Sequence, residues 1–263
     1  MNIIREHFDS IHQMLSVIES RKNNSHMKGQ NSSSSTDSWK WYGSRNFDEA
    51  KNLFQYGYTD VLDKIKAGLA KTNVTQIQNR RRVNTGVVGY APHVPNAILG
   101  LPNSMIRTDA QPQKIKAISI VYCVTENCYA EAQEFIDSGV AVLNVINRLE
   151  LQGVRVNLKI MFYCAKAGQE RAFGTVNVKD YREHMDIKKL CFPIAHPSMF
   201  RRFGFRWLET VPQMQTDNWQ LGYGSQATSM GEEECGENEF FMSLSTTKKF
   251  NYDADEIIKN LKL

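Results

Sequence analysis

Much of what would announce an activity is missing from this chain of 263 residues. Its five cysteines, Cys123, Cys128, Cys164, Cys191 and Cys235, are odd in number and include no C-x-x-C pair. That excludes a zinc ribbon and a framework in which every cysteine is bridged. The six histidines are scattered, with no H-E-x-x-H, so the zincin type of metal site is excluded too. Neither G-x-G-x-x-G nor G-x-x-x-x-G-K-[ST] follows a strand, against a standard dinucleotide or P-loop phosphate site, and there is no nucleophile elbow. No run approaches the roughly 18 apolar residues needed to cross a bilayer. The first ten residues carry Arg5, Glu6 and Asp9 where a signal peptide needs an apolar stretch. The expectation is a cytoplasmic protein that makes no contact with a membrane. The charge balance, 32 basic against 28 acidic residues, gives a net +4, too little by itself to argue for a polyanionic partner.

What is present is ordinary for a folded chain: 41% hydrophobic, 10% aromatic and 23% charged residues. The length suits one large domain with appendages or two small ones. Ile4, Phe8, Ile11, Leu15 and Ile18 recur at helical spacing and predict an amphipathic helix over residues 2–21. Residues 23–38, with the run Asn31-Ser32-Ser33-Ser34-Ser35-Thr36, have the composition of a flexible tether. A helix on a tether either folds back onto its own body or lies in the groove of a protein partner or a second copy, with Ile4, Phe8, Ile11 and Leu15 as the contact residues.

Residues 39–114 follow as a helical hairpin, with Asn46 as its N-cap, and then an extended stretch punctuated by glycine and proline. Trp39 and Trp41 either plug the edge of a core or stack on bases. The clearest fold signal lies in residues 115–263. A nearly continuous apolar run over 115–124 reads as a buried strand, residues 130–151 keep helical spacing up to Gly153, and 154–164 form a second strand. A short loop then leads to a third strand at 172–178, a link compatible with an antiparallel hairpin and too short for a parallel crossover. A helical stretch over 185–208, a strand near 239–245 and a helix over 253–261 complete a three-layer, Rossmann-like α/β sheet with an antiparallel edge strand, preceded by the tethered helix.

That order of strand, long helix, strand and antiparallel hairpin strand resembles the von Willebrand factor A type domain over residues 115–263. The resemblance implies a divalent cation held at the carboxyl end of the sheet by carboxylate and hydroxyl oxygens. Here the stretch after the first strand, Tyr122-Cys123-Val124-Thr125-Glu126-Asn127, has no Asp-x-Ser-x-Ser. The candidate metal residues are therefore Thr125, Glu126 and Asp180, which would serve a metal-dependent nuclease or phosphotransfer enzyme. The stretches from Gly89 to Pro102 and from Arg201 to Glu209 are similar to an uncharacterised group of tailed-bacteriophage proteins, which implies a viral setting and no particular chemistry.

Two basic groups, Arg80, Arg81 and Arg82 and then Arg201, Arg202 and Arg206, are candidates for gripping a nucleic-acid backbone, the second interleaved with Phe200, Phe203, Phe205 and Trp207. The alternative for the second group is a helix whose aromatics enter the core while the arginines face solvent. The expected function is binding or assembly without catalysis, through protein contacts of a degenerate von Willebrand A-like domain, with nucleic-acid binding as the alternative.

Overall fold

The structure is a computed structural model and describes residues 3–23, 32–70, 82–109, 116–166, 170–213 and 232–261. The chain begins as a strand, β1 (Ile3–Phe8), and only then turns into α1 (Ile11–Ser20). The predicted helix over 2–21 is corrected at its first half. A spacing of four, as between Ile4 and Phe8, fits a strand as well as a helix, and the β-branched pair Ile3-Ile4 favours the strand. Ser10 marks the real helix start, its hydroxyl accepting the Gln13 amide at 3.1 Å.

Three helices follow, α2 (Trp39–Tyr42), α3 (Phe47–Tyr56) and α4 (Leu62–Ala70). Asn46 caps α3 as expected, its side chain accepting the Glu49 amide at 2.8 Å. Next, β2 (Arg82–Gly86), β3 (Ala91–Pro92), α5 (Val94–Ile98) and β4 (Met105–Asp109) form a small antiparallel sheet in the order β2-β4-β3. The glycine and proline pattern predicts an extended stretch here but no pairing.

The body continues with β5 (Ala117–Cys123), α6 (Ala132–Leu151), β6 (Arg155–Lys166) and β7 (Glu170–Lys179), the strand, helix, strand and hairpin read from the sequence. After α7 (Ile187–Ala195), a π-helical turn (Met199–Gly204) and α8 (Phe205–Thr210) come β8 (Glu239–Ser243), α9 (Leu244–Lys249) and α10 (Ala254–Asn260). The five-stranded sheet has the order β1-β7-β6-β5-β8 and is parallel except between β6 and β7. The antiparallel β7 is therefore not the edge strand expected. β1 lies outside it, parallel to it, with Ile3 opposite Arg171 and His7 opposite Thr175.

Strand alternation sends the sheet's side chains to two unlike faces. Ile120 and Tyr122 on β5, Ile160 and Phe162 on β6 and Val176 on β7 join one core with residues of α1, α3, α4, α6, α7, α8 and α10. Helices approach closely there: a Cβ on Gly139 of α6 would lie 2.5 Å from Ala195 Cα, and the Trp207 ring lies 3.0 Å from where a Cβ on Gly174 would stand. The opposite face holds a small cluster of Val121, Cys123, Met161, Tyr163 and Phe173, which no described helix joins. Two layers, rather than the three expected, are seen among the described residues. This second face also carries Arg5, His7, Arg171, Lys159 and Ser119, and a single 3-10 turn, Glu232–Glu234, meets it through ion pairs to Arg5 and Arg171.

Candidate functional site

The first residues to place are the arginines of the π-helical turn. Arg201 and Arg202 are fully buried, which corrects both sequence readings of them. Arg201 donates to the Trp41 carbonyl at 2.5 Å and the Ala130 carbonyl at 2.7 Å, with its guanidinium 4.0 Å from the Trp41 ring centroid. Arg202 donates to the carbonyls of Ser33 (2.8 Å), Ser35 (2.7 Å) and Ser44 (2.7 Å) and lies over the Tyr42 ring at 3.9 Å. The planar five-donor fork suits such work, because one side chain can satisfy several carbonyls that would otherwise be buried without partners. Burial pushes the Arg201 guanidinium down to about 10 and lowers Arg202 as well.

The same network takes in the second part of the stretch read as a tether, residues 24–31 of which lie outside the described residues. Ser33 donates its amide to the buried Glu209 carboxylate at 2.7 Å and its hydroxyl to the same group. Residues 32–35 are therefore built into the body. Arg206 lies over the Phe47 ring at 4.7 Å and 3.8 Å from Glu209. Arg80 and Arg81 lie outside the described residues, and Arg82 opens β2. The four described arginines do not assemble one basic face: Arg82 opens β2 of the small sheet, and Arg201 and Arg202 are buried in the body.

The proposed partner helix is likewise internal. Phe8, Ile11 and Leu15 are buried in the main core and Ile4 packs against it, so these side chains hold β1 and α1 to the body and do not present a free stripe. Trp41 plugs the core edge, its indole N–H donating to the Cys128 carbonyl at 2.8 Å.

The three candidate metal residues are split between the two ends of the sheet. Thr125 and Glu126 follow β5, where Thr125 accepts the Tyr163 amide at 2.8 Å and Glu126 accepts the Ser245 hydroxyl at 3.4 Å. Asp180 follows β7, which runs the other way, so it lies beyond the Leu158–Lys179 pairing. Five residues of β6 separate Leu158 from Tyr163, roughly 15 Å at the rise of a strand. Thr125, Glu126 and Asp180 cannot share one ion, and no group of three or more metal-ligating side chains occurs among the described residues.

Two surfaces are left, and neither is marked as a surface by the sequence pattern. The first is the small sheet. Of the twelve large hydrophobics exposed among the described residues, seven fall between Val87 and Leu101: Val87, Val88, Tyr90, Val94, Ile98, Leu99 and Leu101. None of residues 82–109 joins a hydrophobic cluster of the body. The scaffold that shows them is nevertheless well braced. The Tyr90 amide donates to the Ile106 carbonyl at 2.9 Å, His93 caps α5, and Asn96 donates its side-chain amide to the Asn103 carbonyl at 2.9 Å. Gly89 is required at its turn, since a Cβ there would fall 2.1 Å from the Ile106 carbonyl oxygen.

The second surface is the face of the large sheet opposite the main core, which no α-helix among the described residues joins. A half-open cavity of about 300 Å³ lies on it, lined by Arg5, His7, Val121, Lys159, Met161, Phe173, Thr175, Glu234 and Glu239 among others. Arg5 makes a two-pronged pair with Glu234 at 2.7 and 2.8 Å, Arg171 pairs with Glu233, and Lys159 pairs with Glu239 at 2.5 Å. Burial raises the Glu239 carboxyl, and the hydrogen bonds from Lys159 and the Gly236 amide outweigh it, leaving the group below the usual carboxylate range. His7 contacts Thr175 Oγ1 at 2.8 Å and Asn177 Nδ2 at 3.3 Å.

No helix among the described residues is long and apolar enough to cross a membrane. Residues 1–263 match the model of a family described as a domain of unknown function, DUF7192, and the chain belongs to that family. No curated protein and no solved structure matches the chain.

Proposed function

We propose that this member of DUF7192 is a binding and assembly protein whose contacts with a protein partner are made by the arm of residues 82–109. One observation carries the reading: seven large apolar side chains are gathered on a braced scaffold and face solvent. Exposed apolar patches of this kind mark interaction sites when a chain has a core available and the residues still remain outside it. Here the core is large and continuous. A two-stranded hairpin is only marginally stable alone, and the third strand here, β3, adds just two residues, so a face that buries nothing in its own chain gains by burying against another. A von Willebrand A-like body is supported by the run β7-β6-β5-β8 with α6 joining β5 to β6, and the phage setting implied by the stretches at 89–102 and 201–209 is part of the proposal.

The test is affinity purification of the full chain from the cells that make it, beside a Val88→Asp/Ile98→Asp variant, with half of each lysate treated with nuclease. The expected result is a protein retained by the parent chain in both halves and lost by the variant. Retention by the variant would remove the arm from the interaction. Loss of the partner on nuclease treatment would replace the reading with nucleic-acid association.

A further inference from the structure

We propose that the face of the large sheet opposite the main core is a docking surface for an acidic peptide segment of another protein, and that residues 232–239 occupy it as an internal stand-in. Arg5, Arg171 and Lys159 stand on three adjacent strands, β1, β7 and β6, on the face opposite the main core. Each takes its carboxylate from the same short stretch: Glu234, Glu233 and Glu239 in turn. The sheet supplies the cations, the strap supplies Glu233 and Glu234, and Glu239 opens β8 beside it, so the face already holds an acidic stretch of the chain.

The hold is of a kind that can be exchanged. Each strap pair has one partner open to water, Arg5 at 57% and Glu233 at 54%, against 17% for Glu234 and 27% for Arg171, and an ion pair that solvent reaches on one side is weakened by salt. The strap also leaves the face incompletely filled, since the cavity of about 300 Å³ persists between it and the floor of Val121, Met161 and Phe173. A longer acidic segment with an apolar side chain would make the pairs to Arg5 and Arg171 and fill that space as well. A nucleic acid fits less well. Tyr163 and Phe173 are buried against each other with centroids 4.9 Å apart, and the half-buried Phe241 stands on β8, away from Arg5 and Arg171 on β1 and β7, so the face does not interleave its cations with open rings as a base-stacking groove does. The argument uses none of the arm's residues, so either proposal stands or falls without the other.

The probe is a fluorescent synthetic peptide, Glu-Glu-Glu-Ser-Gly-Glu-Asn-Glu, the strap's own sequence with serine for Cys235. Its anisotropy is followed with the full chain and with a Glu233→Ala/Glu234→Ala variant, at low salt and near 1 M salt, where the Debye length is about 3 Å. The expected result is binding at least about tenfold tighter to the variant, lost at high salt and lost when Arg5→Ala and Arg171→Ala are added. Equal affinity for parent and variant, or no binding by the variant, overturns the proposal. Tighter binding of a single-stranded oligothymidylate than of the peptide also overturns it, in favour of nucleic acid. Should the variant fail to fold, amide hydrogen exchange on the parent chain decides. A large excess of peptide should speed exchange over residues 232–239, and unchanged exchange refutes displacement.

Discussion

The large sheet and the small one treat their apolar residues in opposite ways. On the large sheet, alternate positions of β5, β6 and β7 enter a core that also gathers most of the helices, and polar neighbours such as Ser119 and Lys159 fall on the other face. On the small sheet and its α5 turn, residues as hydrophobic as Val88 and Ile98 are each 79% exposed. Both regions are held by regular backbone pairing, so the contrast is not one of order against disorder. It separates residues that stabilise this chain from residues left free to meet another. Substitutions in the body should alter stability and leave contacts alone; substitutions in the arm should do the reverse.

The largest effect is expected at Arg202. Replacing it with alanine strands three buried carbonyls, those of Ser33, Ser35 and Ser44. At about 1 kcal/mol or more for each acceptor left unpaired, the loss should be about 3–5 kcal/mol. Equilibrium unfolding in urea reads this as a lower midpoint. Lysine should rescue little, since it keeps the charge without the fork. A loss under about 1 kcal/mol would mean that the arginine is not a brace, and would reopen it as a binding residue.

The next effect is a pH dependence. His196 is buried beside Phe192, in an almost parallel stack with centroids 5.0 Å apart, and edge-on to Tyr58. Desolvation pushes its imidazole down from 6.5 to about 4. The folded chain therefore holds His196 neutral where the unfolded chain protonates it, so the unfolded state binds the extra proton between those two values. The stability this group contributes is fully present above pH 6.5 and is lost as the pH falls towards 4, at most about 3 kcal/mol. Urea unfolding across that window checks it. His196→Phe should flatten this part of the profile while lowering stability throughout, because the Ser198 amide loses the ring nitrogen it donates to at 3.2 Å. A parent profile that is already flat would count against a neutral, buried imidazole.

A smaller loss is expected at Gly139, where α6 meets α7. A methyl group would fall 2.5 Å from Ala195 Cα, an overlap with main chain that rotamer changes cannot relieve. Gly139→Ala should reduce stability by about 2 kcal/mol, against the gain that alanine usually brings to a helix. A rise in melting temperature would show that the two helices can part without loss.

How far the sequence could be read follows from the range of the forces involved. The β5, α6, β6 and β7 series was legible because each element has its own period and the hairpin loop limits the pairing to one sense. The first strand was missed because Ile4 and Phe8 fit either period and the partner strand lies more than 160 residues away, with Phe8 opposite Val176. The arginines of the π-helical turn were misread for a related reason. Interleaved Arg and Phe describe a helix with a polar side, but this turn is enclosed by the serine-rich stretch at 32–35 and by Ser44, whose carbonyls need donors. Nothing in the local pattern reveals such a distant need. Asp180 was placed with Glu126 because strand ends were counted without strand direction, and one antiparallel pairing moves an end across the sheet. The apolar run at 87–101 was visible as residues but not as a surface, since exposure depends on what fails to pack against it.

The smallest effect on stability should come from the region proposed to matter most for contacts. Val88 and Ile98 touch no hydrophobic cluster of the body, so Val88→Asp and Ile98→Asp remove no buried area from the folded chain and create no cavity. Exposed substitutions of this sort stay within about 0.5 kcal/mol, and the urea midpoint of the double variant should match the parent. Association should nonetheless be lost, because an aspartate in the middle of an apolar contact must give up its hydration without gaining a partner. The two measurements decide different things. A lowered midpoint would show that the arm's apolar residues support the fold after all, erasing the contrast between the sheets. An unchanged midpoint with undiminished association would keep the contrast and place the contact elsewhere, making the face beneath residues 232–239 the next surface to test.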